Sequence, residues 1–299
     1  MKFTQNNLEE TSKQFHNILF NQDIGDVGRK FLSQRGLGEL SDFSQYEIGY
    51  CPPEYPYPSS QSLWADNRLW WMRGRLIVTV RDQHGRIISF AGRVIEDNKD
   101  ILYKDLLNKK DTLLLSHLKG DESKIQDMVD DWSSRKWVNE IYPKKEYLFG
   151  LNFAKKHIFD MNYAVIVEGY MDAFALWMNG FPNTVALCGV AMSETHYALL
   201  RRYAGHIVYC LDADKGGQKG MELAEAVHKN NDMNTDTTYY KIYLPKHGEK
   251  GLDPEDTIKD EKHKNIFLNA IRKASDRKDI NLKKKYLDLS DDATRQILK

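Results

Sequence analysis

The stretch Val165-Ile166-Val167-Glu168-Gly169-Tyr170-Met171-Asp172 decides how this chain reads. A β-branched run ends on an acid, and a glycine then breaks the run. The same ending recurs in Ile207-Val208-Tyr209-Cys210-Leu211-Asp212-Ala213-Asp214, and acids return in Gly251-Leu252-Asp253-Pro254-Glu255-Asp256. Working outward, residues 164–167, 184–187, 207–211 and 238–244 read as strands. Residues from about 170 to 179, 194 to 204 and 217 to 230 read as helices. Strands alternating with helices imply right-handed crossovers and a mainly parallel sheet flanked by helices, an α/β fold. Ligands of such sheets gather at the carboxyl ends of the strands, where Glu168, Asp212 and Asp214 stand.

Acids gathered at strand ends repel one another. Two unit charges about 4 Å apart repel by roughly 4 kcal/mol at an effective dielectric near 20. A helix starting near Gly169 puts Glu168 and Asp172 on one face, and an extended backbone points Asp212 and Asp214 the same way. Together with Asp253 and Glu255 they form an all-oxygen set that suits Mg²⁺ or Mn²⁺. The chemistry such a set serves is two-metal phosphoryl or nucleotidyl transfer. Taken singly, each acid reads equally as a helix cap or a solvated turn residue. Lys215-Gly216-Gly217-Gln218-Lys219-Gly220 follows directly, and glycines at a helix start favour phosphate.

The 299 residues suffice for two or three packed units. The 43 basic residues balance 43 acidic ones, so whole-chain charge points to no partner. No run of 18 apolar residues occurs and the first 20 lack a signal-peptide block, so no membrane association and a cytoplasmic location are expected. Cys51, Cys188 and Cys210 are widely spaced without a CxxC pair, and no zinc is expected in this chain. Upstream, two short helices are expected within residues 8–36 and a proline-bound extended loop at 51–60. Strands are expected at 75–81 and 86–95 around the turn Asp82-Gln83-His84-Gly85. Residues from about 96 to 135 read as a charged, partly helical insertion. The expected division is an α+β amino-terminal lobe at 1–158, a catalytic domain at 159–256 and a short helical tail at 257–299.

Several stretches carry a family likeness. Val167-Glu168-Gly169-Tyr170-Met171-Asp172, Leu187-Cys188-Gly189 and Leu211-Asp212-Ala213-Asp214-Lys215-Gly216-Gly217 resemble the Toprim domain of bacterial and phage replicative primases of the DnaG type. Upstream, Phe90-Ala91-Gly92-Arg93 resembles the primase hairpin usually ending in Phe-Gly-Gly-Arg. Lys136-Trp137-Val138-Asn139 resembles the family's Lys-Tyr-Leu-Asn, and Leu148-Phe149-Gly150-Leu151 its Leu-Tyr-Gly-Leu. The likeness covers roughly residues 12–95 and 135–258. Departures are Asp253-Pro254-Glu255 for the family's Asp-x-Asp, Val190-Ala191 for Thr-Ser, and Lys215 for an arginine. The likeness does not extend to the family's amino-terminal zinc ribbon.

The resemblance implies template-directed synthesis of short RNA primers on single-stranded DNA during replication. Glu168, Asp212 and Asp214 would be catalytic, with Asp172, Asp253 and Glu255 completing the metal set. Arg86, Arg93, Lys136, Lys144 and Lys215 would face template or nucleotide phosphates. The implied partners are single-stranded DNA, ribonucleoside triphosphates, a replicative helicase and a separate zinc-ribbon protein, in a bacterial or phage-infected cell. Two rivals share some of these features. One is a Toprim nuclease or topoisomerase-like enzyme; the other is a catalytically weak subunit that binds DNA or helicase.

Overall fold

In the computed structural model, residues 4–36, 43–53, 71–108, 122–231, 237–247, 250–275 and 286–298 are described. The expected loop at 51–60 lies mostly outside them. The chain divides into two units, Met1–Val80 with Arg86–Tyr142, and Arg81–Gly85 with Pro143–Lys299.

In the first unit, helices α1 (Gln5–Asn21) and α2 (Asp26–Gln34) accompany a sheet of strands β1 (Ile48–Cys51), β2 (Arg75–Arg81), β3 (Ile87–Val94) and β4 (Trp137–Asn139). The strand order is sequential, with β1 and β2 antiparallel and β3 and β4 antiparallel. Phe15 of α1 packs on Cys51, Met72, Ile77, Ile87 and Phe90. The expected insertion contains helices α3 (Lys99–Asn108) and α4 (Glu122–Ser134). It has its own small core of Leu102, Ile125, Val129 and Trp132 against Val94.

Arg75 sits fully buried beneath this unit's sheet. Its Nε donates to Trp71 O at 2.8 Å, Nη1 to Arg135 O at 2.8 Å and Gly92 O at 3.4 Å, and Nη2 to Trp132 O at 2.6 Å. The guanidinium also lies 4.8 Å from the Trp132 ring centroid. A planar fork satisfies several carbonyls at once, and a cation at the carboxyl end of α4 complements the helix dipole. Burial and neighbouring Arg93 lower its pKa to about 10, so it remains charged at neutral pH. A Cβ on Gly92 would come within 2.9 Å of Arg75 Cδ, which explains a glycine there in the Phe-Ala-Gly-Arg segment.

The second unit is built on a five-stranded sheet that is parallel throughout, in the order β11-β8-β7-β5-β6. Its elements are α5 (Leu151–Met161), β5 (Tyr163–Val167), α6 (Tyr170–Met178), β6 (Thr184–Ala186), α7 (Glu194–Leu200), β7 (His206–Tyr209), α8 (Lys215–Asn231) and β8 (Thr238–Tyr243). The short pair β9 (Lys246–His247) and β10 (Lys250–Gly251) leads to α9 (Pro254–Lys259) and α10 (Lys264–Ser275). Then come β11 (Tyr286–Asp288) and α11 (Asp292–Leu298). The core joins Ile166, Val185, Ile207 and Tyr209 of the sheet to Ala154, Leu200, Met221 and Ala224 of the helices.

Two features of the division come from packing and strand pairing. Residues 143–158 belong with the second unit, because Leu148, Leu151, Ala154 and Ile158 are buried in its core. The carboxyl-terminal segment is not purely helical, because β11 pairs in parallel with β8, Leu287 facing Ile242 in register. Among the described residues, no helix is long and apolar enough to cross a membrane.

Candidate active site: a carboxylate cluster at the strand ends

Each acid owes its position to a strand end or a helix start. Glu168 follows β5; its Oε1 accepts the Asp212 N–H at 3.0 Å, and its carbonyl accepts the Cys188 N–H at 2.8 Å. These bonds tie together the ends of β5, β6 and β7. Asp172, in the first turn of α6, accepts the Gly169 N–H at 3.0 Å through Oδ2 and the Glu255 N–H at 3.1 Å through Oδ1. It therefore joins α6 to α9. Asp253 caps α9, accepting the Asp256 N–H at 2.6 Å, with Pro254 at the first helical position where no donor is needed. Asp214 Oδ1 accepts the Gly217 N–H at 2.8 Å at the start of α8. The Ala213 N–H donates to Leu252 O at 2.9 Å, binding the Asp212–Asp214 segment to the one carrying Asp253.

The cluster is electrostatically strained. Burial raises the Glu168 carboxyl above its ordinary range, and the charges of Asp214 and Asp253 raise it further. Burial raises Asp172 well above that range, with added repulsion from Asp253, Asp212 and Glu255. Asp253 is raised by burial, by Asp256 and by Glu255, with Lys259 opposing. For each, the folded form holds its proton more tightly than the unfolded chain. The resulting stability is full below the ordinary carboxylate range of about pH 4 and is lost as pH rises through the raised values. Lys259 Nζ, 2.7 Å from Glu255 Oε1, is one local offset.

A donor set of carboxylates under mutual repulsion fits a hard divalent cation. Among the described residues, however, no three Asp, Glu, His or Cys side chains converge to hold one ion. Both Asp172 oxygens and one oxygen each of Glu168, Asp214 and Asp253 accept backbone N–H groups. A cleft of about 390 Å³ lined by Asp212, Gly217, Gln218, Tyr243, Lys246 and Asp288 opens beside Asp212.

Gly217 fixes the approach of α8 to this segment. A Cβ there would lie 2.0 Å from Asp212 O, a backbone atom that has little room to move. Gly217→Ala is expected to displace the Asp212–Asp214 turn and to remove any Mg²⁺-induced rise in melting temperature. Scanning calorimetry with Mg²⁺ and with EDTA checks this; an unchanged rise would mean the turn tolerates the methyl.

The basic candidates fall into separate groups. In the first unit, Arg93 Nη1 donates to Lys136 O at 3.2 Å, so these two neighbour one another on β3 and at the start of β4. Exposed Arg86 precedes β3 at its other end, seven residues from Arg93, or roughly 20 Å along an extended chain. In the second unit, exposed Lys215 opens α8 beside Asp214. Lys144 Nζ donates to Cys188 O at 2.9 Å. Cys188 has a φ of 55°, a left-handed conformation that costs on the order of 1 kcal/mol outside glycine. That turn directs its carbonyl to Lys144 and its N–H to Glu168.

Sequence reasoning passed over His196, which is fully buried in the first turn of α7. Its Nδ1 accepts the Ser193 N–H at 3.4 Å, and its Nε2 lies 2.9 Å from Lys144 O and 3.1 Å from Tyr147 O. Burial lowers its pKa below the ordinary imidazole range. The available signal was Ser193-Glu194-Thr195-His196, a capping box with histidine in the place of Glu or Gln.

Comparison with known proteins shows what this chain is similar to. Residues 165–258 match the Toprim-like family. The chain is 26% identical over 270 residues to a DNA primase of Halalkalibacterium halodurans, the match covering 84% of this chain and 38% of that protein. It is 27% identical over 268 residues to a DNA primase of Legionella pneumophila, covering 84% and 40%. It thus spans about two fifths of the length of these curated relatives. A solved DnaG primase catalytic domain bound to single-stranded DNA superposes with a TM-score of 0.65 at 22% identity, covering 90% of this chain and 78% of that one. A primase domain from Pseudomonas aeruginosa gives 0.61 at 24%, covering 85% and 74%. The second unit therefore carries a Toprim domain. With the segments that precede it, the chain shares the fold of solved DnaG primase catalytic domains.

Proposed function

We propose that the chain synthesises short RNA on single-stranded DNA by template-directed nucleotidyl transfer, as the polymerising core of a replicative primase. The observation that carries this reading is the acid cluster, in which three separate segments bring carboxylates to one edge of a parallel sheet and raise one another's pKa. Glu168, Asp212 and Asp214, with Asp253 beside them, are the residues to hold Mg²⁺ or Mn²⁺; Asp172 and Glu255 fix their backbone. Bound there, a divalent cation neutralises charge developing on the transferred phosphoryl group and acidifies the attacking hydroxyl. Glu168, with one oxygen held by Asp212 N–H, serves either as a further ligand or as the base that takes the proton of the 3′-hydroxyl as that oxygen attacks the α-phosphate and pyrophosphate leaves.

Arg93 and Lys136 in one unit, and Lys144 and Lys215 in the other, supply cations for template and nucleotide phosphates. Arg86 stands apart from Arg93 and contributes at most a peripheral phosphate contact. The DNA-primase relatives and the DnaG domain bound to single-stranded DNA support the same reading. A replicative helicase and a zinc-ribbon protein are the partners it implies, in the cytoplasm of a bacterial or phage-infected cell.

The test is incubation with single-stranded DNA, labelled ribonucleotides and Mg²⁺ or Mn²⁺, with products separated on a gel. Short labelled RNA is expected. Cleavage of labelled DNA without RNA would favour a Toprim nuclease. DNA retention without product, even with a zinc-ribbon protein added, would make the chain a binding subunit.

A further inference from the structure

We infer that His196 is a positioning residue that sets the Lys144 ammonium on the Cys188 turn, which is bonded to the Glu168 backbone. The inference rests on the primase reading only in the role given to Lys144. Lys144 begins a single 3₁₀ turn, Lys144–Glu146, held locally by Glu146 N–H to Pro143 O at 2.8 Å and Tyr147 N–H to Lys144 O at 3.4 Å. So short a turn specifies its own position poorly. Two residues at the start of α7 hold it from outside. His196 Nε2 reaches Lys144 O and Tyr147 O, and Ser193 Oγ donates to Lys145 O at 2.6 Å.

The tautomer follows from the partners. The Ser193 N–H can only donate, so Nδ1 accepts, and Nε2 faces two carbonyls and must carry the proton. The clamp is thus a neutral imidazole with a shared donor. It fixes the Lys144 backbone, while Cys188 O fixes the far end of the side chain. Cys188 N–H in turn donates to Glu168 O. A contiguous path runs from His196 through Lys144 and Cys188 to Glu168. Lysine is a flexible point charge, so its placement depends on such anchoring at both ends.

The experiment compares Lys144→Ala, His196→Ala, His196→Gln, His196→Asn and the double alanine variant. It reads ribonucleotide incorporation and DNA binding at several salt concentrations. Lys144→Ala is expected to raise KM about tenfold, with kcat changed less, and to lower the salt slope of DNA binding by about one. His196→Ala should reproduce both effects. Adding it to Lys144→Ala should change KM less than about twofold, because the two act as one unit. The glutamine amide reaches the position of Nε2 and should restore KM to within about threefold; the shorter asparagine should not.

The inference is overturned if the His196 and Lys144 effects multiply, or if His196→Ala leaves KM unchanged while Lys144→Ala raises it. Should His196→Ala fail to fold, equal KM values for the glutamine and asparagine variants would overturn it just as well. If Lys144→Ala itself alters neither KM nor salt slope, it is the role of Lys144 in the primase reading that fails.

Discussion

Asp212→Asn is expected to lower RNA synthesis by on the order of 10²–10³-fold while leaving the fold standing. Asp212 ends the β7 segment, and its N–H is held by Glu168, so the substitution keeps the backbone bond that positions it. What it removes is one negative charge from the centre of the cluster. Asp212 is among the charges that raise Asp172, so asparagine also relieves repulsion and brings an equal or slightly higher melting temperature. Loss of activity without loss of stability separates a functional acid from a structural one. Product gels and calorimetry on the same preparation check both halves. Activity within fivefold of the parent would remove Asp212 from the chemistry, and collapse of the fold would make it structural.

Arg75→Met is expected to destabilise the first unit by about 3–5 kcal/mol, the cost of breaking a buried charged network by removing one partner. Methionine keeps much of the apolar volume but supplies no donor, leaving the carbonyls of Trp71, Gly92, Trp132 and Arg135 without the bonds they now accept. At the usual scaling this lowers the melting temperature of the unit by on the order of 10 °C. Two of those carbonyls immediately precede Arg93 and Lys136, so weaker binding of single-stranded DNA should accompany the loss. Arg75→Lys, a single point charge, should fall between. Thermal denaturation and fluorescence anisotropy with labelled DNA measure the two effects. A shift below about 2 °C for Arg75→Met would contradict the organising role of the guanidinium.

Much of the second unit was legible because its strands carry strong local signals. Residues 164–167 and 207–211 are β-branched and aromatic runs closed by acids, and the observed strands Tyr163–Val167 and His206–Tyr209 differ by no more than two residues at either end. Strand β11 was not legible. Its three residues, Tyr286–Asp288, have no periodicity of their own and gain order only by pairing with β8. Helix α5 packs into the core of the second unit, which its sequence does not reveal, because a 3.6-residue pattern shows that a helix is amphipathic, not which core receives it.

The site was legible as a set of acids and less so as a division of labour. Asp172, named among the metal ligands, also has both its oxygens accepting backbone N–H groups, one of them from Glu255, 83 residues away. Arg75 heads an alternating strand and looks like a solvent-facing position; the carbonyls that bury it lie as far as 57 and 60 residues on. His196 belongs to a local capping pattern, but its partner Lys144 O is 52 residues distant. Backbone acceptors remote in sequence leave no mark in residue identity, so these roles come only from the fold.

The most direct measurement is titration calorimetry of Mg²⁺ and Mn²⁺ into the chain, in two buffers of different ionisation enthalpy, for the parent and for Asp212→Asn. Because Glu168, Asp172 and Asp253 hold protons more tightly than ordinary carboxylates, cation uptake should displace part of them. The account predicts saturable binding whose heat depends on the buffer, weaker as pH falls through the raised carboxylate range, and much weakened in Asp212→Asn. Absence of saturable binding in the parent, or binding that Asp212→Asn leaves intact, would contradict it.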